Sequence, residues 1–170
     1  QVDSRWFIAT GDFSSLANSP FHSVQRILDA VVASVLLVAS LPISLLSALA
    51  LLLTSGLPVL YRQERLGRFG KPFILFKFRT MRPGADSDGP DFATVNDERV
   101  LPVGRFLRRW RIDELPQLVN VLAGDMSLVG PRPERPAVAA RLEQEIPFYA
   151  FRYAVRPGIT GWAQVQGRAA

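Results

Sequence analysis

The stretch Val31–Thr54, VVASVLLVASLPISLLSALALLLT, decides how this chain of 170 residues is organised. It lies within Ala30–Tyr61, 32 residues that carry no formal charge between Asp29 and Arg62. At about 1.5 Å per residue, a helix of this length could cross a hydrocarbon core of roughly 30 Å. The run is too long and too far from residue 1 for a secretory signal, and so small a domain could not cover a helix apolar all round. The sequence therefore predicts a membrane-associated helix.

Two features of this segment favour re-entry over a simple span. Pro42 lies near its middle, where proline removes a backbone donor and bends a helix, and the neighbouring Ser40 and Ser44 could satisfy the freed groups. Basic residues flank the segment on both sides, so there is no clear positive-inside asymmetry. A kinked spanning helix is the alternative. We predict a re-entrant helix over residues 22–60, preceded over residues 1–21 by a linker rich in small and turn-forming residues.

Composition excludes several classes of site. The chain has no cysteine, which removes disulfides, zinc ribbons, iron–sulfur ligation and thiol nucleophiles. His22 is the single histidine, which argues against a Ser-His-Asp triad or a histidine-rich metal site. With 48% hydrophobic and 21% charged residues, the chain is not a disordered tail. Any metal is expected to be a hard cation held by carboxylate and phosphate oxygens.

Positive charge is concentrated in the second part of the chain. Residues 61–170 hold 18 basic and 12 acidic residues, a net +6, whereas residues 1–60 have a net charge of −1. Of the 20 basic residues, 18 are arginine, which an arginine-biased genome or bidentate phosphate recognition would each explain. Because no aromatic-interleaved basic stretch or known reader motif is present, we predict no nucleic-acid partner.

Short elements are predicted after the apolar run. Phe73–Arg79 is typical of a strand, and Gly67–Pro72 before it predicts a turn that does not match a phosphate-cradling P-loop. Arg82–Asn96 predicts a loop, and Arg99–Arg111 a short helical stretch. Four arginines in that stretch would form a solvated or membrane-facing surface, or a place for an anionic substrate: Arg105, Arg108, Arg109 and Arg111.

Asp113 and Glu114 precede an amphipathic helix. Apolar residues follow at spacings of three and four, Pro116 suits only a first turn, and Gly124 suits the residue after the helix. Asp113 is thereby placed at or next to the N-cap, and on the local pattern alone an N-cap aspartate is the favoured interpretation. The alternative is that the helix start attracts phosphate while Glu114 supplies a second carboxylate for Mg²⁺, a constellation suited to phosphoryl transfer.

A proline-rich stretch and two further elements follow. Prolines around Arg132 and Arg135 stiffen Pro131–Pro136, which predicts either a rigid connector or a preorganised phosphate clamp. Ala137–Ile146 predicts a helix, and Arg152–Val165 a turn and a short strand.

Four blocks of this sequence, in order, resemble the signature blocks of the bacterial sugar transferases, the monotopic polyprenyl-phosphate phosphoglycosyl transferases. The resemblance extends from about Gln25 to Arg168, and the part around Pro131–Pro136 looks closest to the exopolysaccharide branch. Four collinear blocks are far more specific than one short motif. The blocks are Lys77–Met81, Asp113–Gln117, Gly124–Pro133 and Arg156–Val165.

The resemblance implies an enzyme of class EC 2.7.8.- that transfers a sugar-1-phosphate from a UDP-sugar to undecaprenyl phosphate. Asp113 would attack the sugar-linked phosphate, release UMP and carry a covalent phospho-sugar intermediate, and Glu114 would help to hold Mg²⁺. It further implies substrate-binding residues: Lys77, Arg79, Arg111, Pro131, Arg132, Pro133 and Arg156. A nucleotide-sugar hydrolase and a non-enzymatic scaffold of a polysaccharide assembly complex are the alternatives. The transferred sugar is not indicated.

The implied fold class is α/β. We expect a monotopic membrane protein with a Pro-broken re-entrant helix, a small β-hairpin or sheet element and several interface-lying helices. Residues 61–170 would form the catalytic domain on the cytoplasmic face of the bacterial inner membrane, truncated at its C-terminus relative to the family. Its expected partners are a UDP-sugar, undecaprenyl phosphate and membrane lipids, and a homo-oligomer is left open.

Overall fold

A computed structural model describes residues 20–85 and 97–166 of the chain. Nearly all of the predicted linker and most of the predicted loop at Arg82–Asn96 therefore lie outside the described residues. Three 3₁₀ turns occur at Arg68–Gly70, Ile112–Glu114 and Tyr149–Ala154. The helices and strands, in chain order, are α1 (Pro20–Ser55), β1 (Leu60–Leu66), β2 (Pro72–Phe78), α2 (Pro102–Arg109), α3 (Gln117–Ala123), β3 (Ser127–Val129), α4 (Pro136–Glu145), β4 (Gly158–Thr160) and α5 (Trp162–Val165).

Two small sheets support the predicted mixture of helices and strands. Strands β1 and β2 form an antiparallel hairpin in which Leu60 pairs with Phe78, joined by the predicted turn. Strands β3 and β4 form a short parallel pair. The predicted strand at Phe73–Arg79 is confirmed within one residue. The short strand predicted within Arg152–Val165 is β4, but Trp162–Val165 at the end of that stretch is helical. Gly161 precedes that helical turn and approaches the backbone of Gly130 so closely that a Cβ would lie 2.3 Å from its carbonyl oxygen.

Helix α1 is the long apolar helix expected from the sequence. Its buried residues recur on one face, at Asp29, Ala33, Ser47 and Leu51, and the other faces expose valine and leucine side chains. Only 11% of the most apolar 18-residue stretch of α1 is buried. A helix apolar on its uncovered faces is consistent with membrane association, as monotopic attachment requires.

The helical backbone of α1 continues through Pro42 without interruption. The break expected there is therefore not seen, although proline still removes one backbone donor. The hydroxyl of Ser40 donates to the carbonyl of Leu37 at 3.2 Å, whereas the carbonyl that loses its helical donor to Pro42 is that of Val38. Re-entry of α1 into the membrane therefore stays a prediction.

The first part of α1 is fixed to the rest of the chain by polar contacts. The guanidinium of Arg26 donates to the carbonyls of Val121 and Leu122, each at 2.6 Å, and so satisfies groups that the end of α3 leaves open. Buried Asp29 accepts hydrogen bonds from the Ser127 hydroxyl at 2.7 Å and the Leu128 N–H at 3.1 Å. These bonds fix α1 to α3 and β3.

The last turn of α1 is fixed by Arg79. Its Nη2 donates to the carbonyls of Ser55 at 2.8 Å and Gly56 at 2.7 Å, and to the Ser55 hydroxyl at 2.6 Å. A cation at a helix C-terminus also matches the helix dipole. Both ends of α1 therefore contact the same body of the protein.

Two apolar clusters lie along α1. Ala33 packs into one with Phe73, Leu75 and residues of α3, and Leu51 packs into the other with Phe78 and residues of α2. Strand β2 takes part in both clusters and so connects the two parts of α1. The hairpin is thereby held against the membrane helix.

Buried Asn120 joins α3 to the free edge of β2. Its Nδ2 donates to the Ile74 carbonyl at 2.7 Å, and its Oδ1 accepts from the Phe76 N–H at 3.1 Å. These bonds satisfy backbone groups that an unpaired strand edge would expose. Because α3 directly follows Asp113 and Glu114, this contact brings the two acids close to the end of β2.

Candidate active site

Asp113 and Glu114 lie in the 3₁₀ turn Ile112–Glu114 between α2 and α3. The N-cap of α3 is Pro116, three residues after Asp113, and no side chain caps either element. The interpretation of Asp113 as an N-cap is therefore wrong. Both acidic residues are nonetheless buried, with 7% and 8% of their surfaces exposed. Adjacent buried carboxylates are costly unless cations or a ligand compensate for them, so this turn is a candidate functional element.

The environment of Asp113 raises its pKa above the usual aspartate value. Burial is the main cause and the adjacent Glu114 carboxylate adds to it, whereas Lys77 and Arg108 favour the charged form. Arg108 is held by a hydrogen bond of 2.7 Å from its Nε to the Thr80 hydroxyl. Arg108, from the predicted helical stretch, is thereby held where its charge acts on Asp113.

Glu114 contacts two arginines that come from different parts of the chain. Its Oε1 lies 3.4 Å from Nη1 of Arg132 and 3.6 Å from Nη1 of Arg111. Arg111, with a backbone φ of 57°, stands immediately before the turn and is half-exposed. The fold thus brings three predicted site residues, Glu114, Arg132 and Arg111, together.

Lys77 lies near the end of β2, close to both Asp113 and Glu114. Burial, helped by the nearby Arg65 and Arg132, lowers the pKa of Lys77 to about 8 against the opposite influence of Asp113 and Glu114. A small cleft here is lined by Arg65, Lys77, Gln117, Arg132 and Pro133. The cleft therefore has a basic wall beside a pair of buried carboxylates.

Backbone contacts fix the segment that carries Arg132. Nη2 of Arg152 donates to the Arg132 carbonyl at 2.7 Å, and Nη1 of Arg65 donates to the Pro133 carbonyl at 3.1 Å. Pro131 and Pro133, on either side of Arg132, restrict the same backbone. The two interpretations of Pro131–Pro136, a rigid connector and a phosphate clamp, are compatible, because a stiff segment holds Arg132 next to Glu114.

Two predicted substrate-binding residues make structural contacts. Arg79 donates through Nη2 to the end of α1, and Nε of Arg156 donates to the Gly124 carbonyl at 3.1 Å. A substrate contact for either stays a prediction that these bonds do not support. The sequence analysis missed Arg65, Gln117 and the specific role of Arg108. For Arg65 the sequence LYRQERL of β1 gives no alternation of apolar and polar residues, and its covered side is seen only in the structure.

The carboxylate pair fits a bound Mg²⁺ ion. Among the residues that the structure describes, no group of three or more His, Cys, Asp or Glu residues forms an all-protein cage. Mg²⁺ commonly uses one or two carboxylates and takes its other ligands from water and substrate phosphates. Glu114, with Asp113 beside it, offers that donor set.

Residues 21–170 match the family described as bacterial sugar transferase. A UDP-glucose:undecaprenyl-phosphate glucose-1-phosphate transferase of Caulobacter vibrioides is 52% identical over 84% of this chain and 54% of its own length. A UDP-N-acetylgalactosamine-undecaprenyl-phosphate N-acetylgalactosaminephosphotransferase of Aeromonas hydrophila is 44% identical over 89% of this chain and 36% of its own length. A putative undecaprenyl-phosphate N-acetylgalactosaminyl 1-phosphate transferase of Bacillus subtilis is 47% identical, over 78% of this chain and 74% of its own length.

The chain thus spans about a third to a half of the first two relatives and about three quarters of the third. The family match covers α1, the acidic turn and the segment that carries Arg132. Buried adjacent acids, a basic cleft and a long apolar helix agree with that match. This chain belongs to the bacterial sugar transferase family.

Proposed function

We propose that this chain transfers a sugar-1-phosphate from a UDP-sugar to undecaprenyl phosphate. A carboxylate oxygen of Asp113 attacks the sugar-linked phosphorus, the bond to the bridging oxygen breaks, and UMP leaves. An oxygen of the lipid phosphate then attacks the same phosphorus and frees Asp113, giving undecaprenyl-diphosphate-sugar. Such a covalent route divides one difficult transfer into two simpler ones.

The observation that carries this proposal is the burial of Asp113 beside Glu114, close to the cations Lys77 and Arg108. Burial removes water that would otherwise solvate the nucleophile, and Lys77 and Arg108 favour its charged form. Arg132, already next to Glu114, can turn its guanidinium to a phosphate oxygen. A nucleophile, a phosphate-binding residue and a carboxylate for a cation thus occupy one small site.

Glu114 is the residue that we expect to hold Mg²⁺, with Asp113 close enough to share it. When bound, the ion neutralises phosphate charge and stabilises the leaving nucleotide. The arginines on Oε1 of Glu114 keep this carboxylate oriented before the substrate arrives.

The contacts at both ends of α1 favour re-entry. Arg26 and Ser55 are separated by 29 residues, which in a straight helix correspond to about 44 Å. A simple span would place these ends on opposite sides of the membrane, whereas both contact one body of the protein. We propose that in the bilayer α1 bends at Pro42, where the backbone donor is missing, and so enters and leaves on the same side, with the catalytic domain on the cytoplasmic face of the inner membrane.

This topology can be tested with single cysteines, because the chain contains none of its own. Ser23→Cys and Leu57→Cys mark the two ends of the apolar segment, and Leu45→Cys marks its middle. We expect a membrane-impermeant maleimide to label both ends from the same side and Leu45→Cys from neither. Labelling of the two ends from opposite sides would establish a span instead.

The transfer itself is tested by measuring UMP release from a panel of UDP-sugars with Mg²⁺, with and without undecaprenyl phosphate. We expect release that depends on the lipid phosphate, and loss of about 10³-fold or more in Asp113→Asn. Intact-protein mass spectrometry before lipid is added should detect a phospho-sugar adduct that the variant lacks. Glu145→Gln, an exposed acid-to-amide change on α4, is the matched control.

The other outcomes are informative. UMP release that does not depend on undecaprenyl phosphate would identify a nucleotide-sugar hydrolase. Turnover with none of the sugars, by a folded protein in membranes, would favour a scaffold of a polysaccharide assembly complex. Full activity in Asp113→Asn would remove the proposed nucleophile.

A further inference from the structure

Arg65 lies on the covered face of β1, at the wall of the cleft described above. Its side chain is 15% exposed, donates through Nη1 to the Pro133 carbonyl and through Nη2 to the Gln63 side-chain oxygen, and stands 3.9 Å from the Glu134 carboxylate. Its buried Nε has no hydrogen-bond partner among the described residues. A buried guanidinium donor without an acceptor is costly, but Nε of Arg79 is in the same state, so what sets Arg65 apart is the basic cleft that it lines.

Three cations line this one cleft. Arg65, Lys77 and Arg132 share it, and they are close enough that Arg65 and Arg132 both lower the pKa of Lys77. Burial also lowers the pKa of Arg65; Glu134 opposes this shift, and Arg132 adds to it. Repulsion among like charges at a partly buried place is relieved when an anion enters it.

The nearby carboxylates do not neutralise this cluster. Oε1 of Glu114 contacts Arg111 and Arg132. Glu134 is shared between Arg65 at 3.9 Å and Arg152 at 3.8 Å, both longer than a hydrogen bond. The cleft therefore keeps an excess of positive charge, beside the buried amide of Gln117, which can donate to a phosphate oxygen.

We propose that Arg65 is a phosphoryl-binding residue, the third cation of a subsite formed with Lys77 and Arg132. The inference rests on the proposed transferase function and extends it to a residue outside the sequence blocks that carry the family resemblance. The ligand is a phosphoryl group, whether from the diphosphate of the nucleotide-sugar or from the lipid phosphate. Arg65 acts by its charge.

Binding of inorganic pyrophosphate to the full chain in nanodiscs, measured by titration calorimetry, tests this directly and needs no turnover. We expect Arg65→Gln to weaken binding about tenfold or more, and Arg65→Lys to weaken it less. Arg62→Gln is the matched control, because Arg62 lies on the same strand with its side chain exposed on the opposite face. It should bind as the unaltered chain does.

A second variant separates charge from structure. Glu134→Gln removes the carboxylate nearest to Arg65, so a phosphoryl-binding role predicts several-fold tighter pyrophosphate binding. Weaker or unchanged binding in that variant would overturn the proposal even if Arg65→Gln fails to fold, and so would an equal gain in the double variant Glu134→Gln with Arg65→Gln. Unchanged affinity in folded Arg65→Gln would overturn it as well.

Steady-state kinetics then identify the source of the phosphoryl group. A higher KM for the UDP-sugar alone in Arg65→Gln would assign the subsite to the donor, and a higher KM for undecaprenyl phosphate alone would assign it to the lipid. Failure of transfer with intact pyrophosphate binding would reject the proposed function and keep the anion site. Normal transfer together with pyrophosphate binding that does not depend on Arg65 would reject the anion site and keep the proposed function.

Discussion

Arginine side chains have different roles at the ends of α1 and in the basic cleft beside the acidic turn. At the ends of α1, Arg26 and Arg79 place their donors on backbone carbonyls at 2.6–2.8 Å. In the cleft, Arg65 and Arg132 lie near another cation, Lys77, and Nε of Arg65 lacks a partner among the described residues. Nε of Arg79 lacks a partner among these residues too, so the contrast lies in the surroundings of the two groups. The arginines at the ends of α1 bind backbone carbonyls and fix the fold, whereas those of the cleft lie beside a third cation, where an anion can bind. The comparison separates structural from ligand-binding arginines that the sequence presents alike.

The largest difference should appear when the cleft loses Arg132. Arg132→Gln removes a preoriented phosphate-binding group but no backbone contact, since the contact here runs from Arg152 to the Arg132 carbonyl. We expect kcat/KM for UMP release to fall about 10²-fold, with the melting temperature nearly unchanged. Arg109→Gln, an exposed arginine of α2, serves as control. A variant that melts early and keeps its kcat/KM would place Arg132 among the structural arginines.

Arg79→Gln should show the opposite behaviour. Removal of this guanidinium leaves the carbonyls at the end of α1 without a donor, so we expect a loss of about 2 kcal/mol in the free energy of unfolding. Denaturant titration in detergent micelles measures that loss, and UMP release by the folded protein should be nearly retained. A large kinetic defect in a fully stable Arg79→Gln variant would instead support the substrate contact that the family resemblance implies.

Lys77 gives the comparison a pH dependence. With its pKa at about 8, Lys77 loses its charge as pH rises through that value, so kcat/KM should fall about tenfold between pH 7.5 and 9.5. Because this pKa lies below the usual lysine value, the same titration makes the folded chain relatively more stable as pH rises from about 8 to the ordinary range. Lys77→Arg should remove the kinetic fall, and an unaltered pH profile in that variant would exclude Lys77 as its cause.

The smallest effect is expected at an exposed ion pair. Arg141 and Glu145 lie 3.8 Å apart on α4, each with 58% of its side chain exposed. Arg141→Gln should change the free energy of unfolding by less than about 0.5 kcal/mol and leave UMP release unaltered. A larger loss by thermal denaturation would show that surface arginines also fix this fold, and would weaken the comparison.

Much of the local structure could be predicted from the sequence. The hairpin turn at residues 67–72, the strand that follows and the end of α3 at Gly124 are set by neighbouring residues, and the structure confirms each. Local reasoning erred where two elements meet. Asp113 was expected at an N-cap, but Pro116 takes that position because a separate 3₁₀ turn precedes α3.

The apolar run at Val31–Thr54, the pairing of Asp113 with Glu114 and the stiff segment around Arg132 were determined by the sequence itself, since each depends on adjacent residues or on helical spacing. Only the tertiary structure decided which cations serve the site. Arg79 and Lys77 are two residues apart, yet one fixes a helix end and the other faces the acids. Their partners lie far away along the chain, and long-range packing, which no local pattern encodes, selects them.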